Sequence, residues 1–115
     1  MATLTKVEEY YKVLHPILAE HCGLIEKAKD STTTQLIINR EQTRYLVITE
    51  GWVDKKHIHA LIFDCEIRES KIWLHHDGLD HGVVEVLVAA GIAKSDIVLA
   101  FHPPHIRKHT GYGIG

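Results

Sequence analysis

Only two cysteines occur in the chain, Cys22 and Cys65. They lie far apart and make no C-x-x-C pair, so they support neither a zinc site nor a disulfide framework. Both fall on apolar faces of the elements described below, as buried free thiols of a reducing compartment do. Long apolar runs are missing too. The opening MATLTKVEEYY lacks the uninterrupted apolar segment of a signal peptide, and nothing approaches the length of a bilayer span. A cytoplasmic protein with no membrane contact is expected. Charge of one sign is scarce: 13 Lys and Arg against 15 Asp and Glu leave −2 with the histidines neutral. The molecule as a whole therefore exerts no pull on nucleic acid, and any such binding has to come from a local patch. Catalytic signatures are absent as well. There is no G-x-S-x-G, no H-E-x-x-H, and no histidine held beside a cysteine by a recognisable motif. The glycine-rich GYGIG lies at the C-terminus with no helix after it to supply a dipole. No catalytic residue and no cofactor is expected.

What the sequence does hold is one domain's worth of pattern, residues 1–115, with ten histidines as its compositional oddity. Partial protonation of these near pH 6 turns the net charge from negative to positive. The first element reads as a helix. Thr5 and Glu8 form a T-x-x-E capping box, and Val7, Tyr10, Tyr11, Leu14, Ile17, Leu18 and Cys22 make one apolar stripe. Gly23 is a natural stop. Pro16 predicts a kink near Lys12 to Pro16, or two shorter helices.

After a polar linker, AKDSTT, the period changes from 3.6 to 2. Four β-rich runs follow, Thr33 to Asn39, Thr43 to Trp52, Lys56 to Arg68 and Lys71 to Asp77, joined by short polar connections. Connections so short imply an antiparallel meander. In the third run Leu61, Phe63, Cys65 and Ile67 are expected on the packed face and Asp64, Glu66 and Arg68 on the other. A second helix is expected from about Asp80 to Ala90, with Asp80 as N-cap, Val84, Leu87 and Val88 inward, and Gly91 at its end. AKSDIVLAF offers a helical turn and a short strand, Ile97 to Phe101, and the tail HPPHIRKHTGYGIG holds too much Pro and Gly for regular structure. The fold class is α+β: an antiparallel sheet of four to five strands covered by the N-terminal helix and a second helix after the fourth strand.

The stretch KIWLHHDGLDHGV gathers His75, His76, Asp77, Asp80 and His81, all metal-ligand types. A catalytic metal needs three ligands converging on one point. Adjacent strand residues point to opposite faces, so His75 and His76 cannot share an ion, whereas His75 and Asp77 share a face and His81 could be brought back toward them. A His75–Asp77–His81 site is thus conceivable, but the structural reading is preferred: Gly78 allows a left-handed turn and Asp80 caps a helix. No metal is expected. The tail offers a second candidate surface. His102, His105, Arg107, Lys108, His109 and Tyr112 follow one another with no acidic residue after Asp96. Such a strip suits an acidic protein surface or a phosphate backbone, and its two prolines favour order by lowering the entropy lost on docking.

Three passages carry a resemblance: RYLVITEGW, IHALIFDCEIRESKIWLHHDG, and VLVAAGIAKSDIVLAFHPPHIRKHTGYGIG. Together they resemble the XisI family, the fdxN element excision controlling factors of cyanobacteria. The matching positions are Gly51 and Trp52; Lys71, Ile72, Trp73, Asp77 and Gly78; and Asp96, Ile97, Val98, Leu99, Phe101, His102, Arg107, Lys108 and Thr110. His75, His76, Leu79, Asp80, His81 and His109 depart from the family pattern, so the histidine cluster is built from positions to which the resemblance assigns no metal. The resemblance implies a regulatory protein that works with an XisH-like partner in the excision of a DNA element by a separate recombinase. A non-catalytic control factor acting through that partner is the first expectation. The alternatives are a DNA-binding module using the basic tail, with DNA contact otherwise indirect, and a small metal-dependent enzyme at His75, Asp77 and His81. A sheet edge or apolar patch left open would be covered by self-association, a homodimer in the first instance.

Overall fold

The computed structural model describes residues 5–26, 31–79 and 82–114. Helix α1 spans Lys6–Glu26. At its start the Glu8 backbone N–H donates to Thr5 Oγ1 at 3.2 Å, one half of the expected capping box. Its buried stripe is Tyr10, Leu14, Leu18 and Cys22. Neither Pro16 nor Gly23 ends the helix, contrary to the sequence reading. Pro16 and Lys12, whose carbonyl loses its bonding partner, both face solvent. Water can replace the missing hydrogen bond there, while the buried stripe holds the helix to the sheet.

The sheet has five strands in the order of the chain: β1 (Ser31–Ile38), β2 (Arg44–Val53), β3 (Lys56–Arg68), β4 (Lys71–Asp77) and β5 (Ile97–Leu99). The first three pairings are antiparallel, as the short connections require, and β5 lies parallel to β4. The parallel step is reached through helix α2 (Val84–Ala89) and a 3-10 turn at Lys94–Asp96. The fold is therefore α+β, with α1 and α2 on one face of a mostly antiparallel sheet. Tyr45, Val47, Phe63, Cys65, Ile72, Leu74 and Ile97 meet Leu14, Leu18 and Leu87 in the core, all fully buried.

Two single-residue bulges alter the expected faces. Val47 pairs with Phe63, yet Ile48 pairs with Leu61, so Ile62 is the extra residue. Leu61 therefore turns away from the core, 44% exposed, instead of sharing the face of Phe63. Asp64 pairs with His76 and Cys65 with Leu74, which makes His75 the extra residue of β4. Helix α2 is shorter than expected and starts at Val84 with Val83 as its N-cap; Asp80 lies outside the described residues. Its end is as expected: Gly91 adopts φ 102°, and the Ile92 N–H reaches back to the Leu87 carbonyl at 3.1 Å. The tail is more regular than its composition suggests. Pro104–Arg107 forms a short helix, α3, with proline at its first turn, and Gly113 bridges to Val98 at the edge of β5. A side chain on Gly113 would meet the Ser95 carbonyl at 2.6 Å, so only glycine fits that approach.

Candidate functional site

The bulge at His75 decides the fate of the histidine cluster. Alternation fails across a bulge, and the His75 ring reaches Glu66 on the sheet face away from α1, Nε2 to Oε1 3.0 Å. Asp77 pairs with Phe63 and so lies on the opposite, helix-bearing side. The expected sharing of a face by His75 and Asp77 is thus corrected. Asp77 has other work. Its Oδ1 accepts the Leu79 N–H at 3.2 Å and its Oδ2 the Val83 N–H at 2.9 Å, fixing the chain as it leaves β4 and enters α2. Gly78 follows because its N–H donates to the Ile62 carbonyl at 2.7 Å, and a Cβ there would stand 2.8 Å from that oxygen. Its φ is not positive, so close approach, not the left-handed turn expected, is what calls for glycine. His81 lies outside the described residues. Among the described residues no group of three or more His, Cys, Asp or Glu side chains could hold a metal ion.

The solvent-side face of β2, β3 and β4 carries a charged ladder instead. Arg44 grips Asp64 with two bonds, Nε to Oδ1 2.7 Å and NH2 to Oδ2 2.8 Å. This two-pronged pair raises the Arg44 pKa still further above its ordinary value. Glu66 stands within 4.0 Å of the guanidinium groups of both Arg44 and Arg68 while accepting from His75. Arg68 lies over the Trp73 ring at 3.9 Å, and the indole N–H donates to the Arg68 carbonyl at 3.0 Å. These contacts hold the sheet face in register and leave its acids and bases paired with one another.

No nucleophile is prepared for chemistry among these side chains. Burial pushes the Cys65 thiol well above its usual pKa, with Asp64 adding to the effect. The protonated thiol is the unreactive form; Cys22 is buried as well and outside any disulfide. Tyr10, the most polar buried group of α1, donates its hydroxyl to the Ser70 carbonyl at 2.8 Å; burial, then Asp96 and Glu9, pushes its pKa up to about 12.

The tail residues singled out by charge divide into two groups. Arg107 is turned inward. Its Nε donates to the His102 carbonyl at 3.0 Å and its NH2 to the Ala100 carbonyl at 3.3 Å, with the guanidinium 5.6 Å from the Trp73 ring. Thr110 continues the knot: its hydroxyl donates to the Arg107 carbonyl and accepts the Tyr112 N–H. Tyr112 is half-buried with Lys94 over its ring at 5.8 Å, and His102 packs on Phe101 at 4.6 Å. His105, Lys108 and His109 stay exposed, beside Ile106 and a Phe101 that is 50% exposed. The outcome is a basic and apolar patch held on a clamped scaffold. Charge alone marked these positions, and could not separate the clamp from the patch.

A family model described as XisI protein matches residues 4–114. The chain belongs to the XisI family. Two solved structures from Anabaena variabilis ATCC 29413 share the fold of this family member. One is the fdxN element excision controlling factor XisI, 30% identical, with a TM-score of 0.82 over 96% of this chain and 100% of that one. The other is an XisI-like protein, 27% identical, with a TM-score of 0.85 over 95% of this chain and 99% of that one. No curated protein matches the chain. Trp73, Asp77, Gly78, Arg107 and Thr110, which are among the positions that carry the sequence resemblance, build the indole seat, the entry to α2 and the tail clamp. No helix among the described residues is long and apolar enough to cross a membrane.

Proposed function

We propose that this XisI-family chain is a non-catalytic accessory factor in the control of excision of a DNA element, and that it acts by binding an XisH-like protein. The family supports the role in excision control, since the solved relative at 30% identity bears that name. The observation that carries the mechanism is the division within the tail. Arg107 and Thr110 are spent on folding the segment against Trp73, so that His105, Ile106, Lys108 and His109 face outward beside Phe101. A preformed patch of this kind, apolar with a cationic rim, suits an acidic protein surface and loses little entropy on docking. The pairing of Arg44, Asp64, Glu66, Arg68 and His75 with one another on the outer sheet face supports a binding role over a chemical one.

Co-expression with an XisH-like protein, followed by sizing chromatography, tests the reading. Co-elution in a fixed ratio is expected, together with its loss in Lys108→Glu, which leaves the clamp intact. Separate elution of two well-folded proteins would remove the partner mechanism.

A further inference from the structure

The two edges of the sheet are treated differently. At β5 the chain covers its own edge: Gly113 bridges to Val98, and its N–H donates to the carbonyls of Ile97 and Lys94. At the other edge lies β1, and among the described residues no strand or loop backbone bonds to the far side of Thr34, Leu36 or Ile38. The hydrogen-bonding phase of β1 follows from one bond. The Asn39 N–H donates to the Arg44 carbonyl at 3.2 Å, in the same register that pairs Ile38 with Tyr45. Odd-numbered residues of β1 therefore bond to β2, and Thr34, Leu36 and Ile38 direct their N–H and C=O groups away from it. The Ile67 N–H to Thr43 carbonyl bond on the other side of β2 agrees with this phase.

Monomeric proteins blunt such an edge with a lysine, a proline, a bulge or a very short strand. STTTQLII has none of these: it is eight residues long, uncharged, free of proline, and paired with β2 without a register shift. Beside it the solvent-side sheet face exposes Ile37, Leu61 and Trp52 at 42, 44 and 55%.

We infer that β1 is a self-association edge, at which two copies pair antiparallel about a two-fold axis through Gln35. That centre places Thr34 opposite Leu36 on the helix-bearing face and Thr33 opposite Ile37 on the other. Threonine meets an aliphatic side chain in each, and no like charges face each other. The two sheets become one, closed at both ends by a covered β5, so the pairing stops at the dimer. The occupant is a second copy because a neutral strand with this alternation complements itself. The inference stands apart from the excision reading and does not need it.

The register makes the test specific. The two copies of Gln35 form a pair without backbone hydrogen bonds, Cα to Cα roughly 4.5 Å, within the roughly 4.4–6.8 Å that a disulfide spans. Gln35→Cys should oxidise to a covalent dimer on a non-reducing gel. Thr33→Cys should not, since its two copies stand about four residues, roughly 13 Å, apart. Light scattering should give twice the chain mass for the wild type, and Gln35→Lys, which sets two lysines opposite each other at an exposed position, should shift it to the monomer. A wild type that stays monomeric at micromolar concentration overturns the inference. So does a dimer that survives Gln35→Lys and gives no Gln35→Cys crosslink.

Discussion

Tyr10 shows how one side chain ties the first helix to the far end of the sheet. Its hydroxyl bonds to the carbonyl of Ser70, in a two-residue turn where Glu69 and Ser70 both hold positive φ, 54° and 62°. Such a turn matches the twist of a hairpin but is strained without Asn or Gly, and the bond from Tyr10 helps to hold it. The raised pKa has a consequence in pH. The folded chain keeps the phenol proton to about 12, where an unfolded one releases it near 10. Above pH 10 the unfolded state binds fewer protons, so stability falls as pH rises from 10 to 12, whereas below 10 the contribution is fully present. Tyr45 and Cys65, also held protonated by burial, add to the same alkaline loss. Tyr10→Phe should cost about 1 kcal/mol at neutral pH through the lost hydrogen bond. It should also make the alkaline limb shallower by one titrating group, about 1.4 kcal/mol per pH unit where it titrates. Urea midpoints measured from pH 8 to 12 check both; a variant with an unchanged alkaline slope would show that the phenol is not the titrating group.

Among the elements, those that follow from periodicity alone are readable: β3 and β4 begin and end where their alternation does, α1 and α2 carry the expected inward residues, and β5 forms but stops at Leu99 instead of Phe101. The misses have local causes. Pro16 sits on the wet side of α1, where its lost bond is cheap, and periodicity does not weigh one lost bond against a buried stripe. The bulges at Ile62 and His75 leave no mark in a hydrophobic pattern, because one inserted residue between apolar neighbours still reads as a strand. Alternation alone therefore puts Leu61 on the face of Phe63 and His75 on the face of Asp77, and the bulges reverse both. The order of the tail is not legible in its composition, because proline and glycine signal breaks, while Arg107 holds the segment through carbonyls that only the fold brings back to it. Arg107→Ala should therefore act as a folding lesion of α3 and its flanks. It leaves the Ala100 and His102 carbonyls without their donors and is expected to cost about 1–2 kcal/mol. Faster hydrogen exchange across residues 100–112 is the readout. Arg107→Lys should restore little, since an ammonium cannot span two carbonyls and lie near an indole with the same geometry. Full protection in Arg107→Ala would refute the clamp.

For the whole molecule the question is whether control of a DNA event requires touching DNA. The fold is shared with relatives at 27% and 30% identity over nearly their full lengths, so the scaffold is a property of the family. Electrostatics weigh against tight direct contact by this member. The net charge is −2, and from residue 94 onward the cations are Lys94, Arg107 and Lys108. Arg107 is committed to the clamp and Lys94 lies on Tyr112. That leaves Lys108, and even with Lys94 swung off the ring the tail can neutralise at most about two phosphates, which corresponds to a slope of about −2 in log K against log salt for duplex DNA, since each phosphate contributes about −0.9. Proteins that hold DNA through their own phosphate contacts make 6–10 of them and show correspondingly steep slopes, of the order of −5 to −9. Fluorescence anisotropy of a labelled duplex, titrated with the chain alone at neutral pH and several salt concentrations, should give weak binding with a slope no steeper than about −2. A slope near −5 would require a basic surface that these residues do not provide singly. It would move the mechanism from a protein partner to the DNA itself, with the dimer as the natural source of a doubled patch.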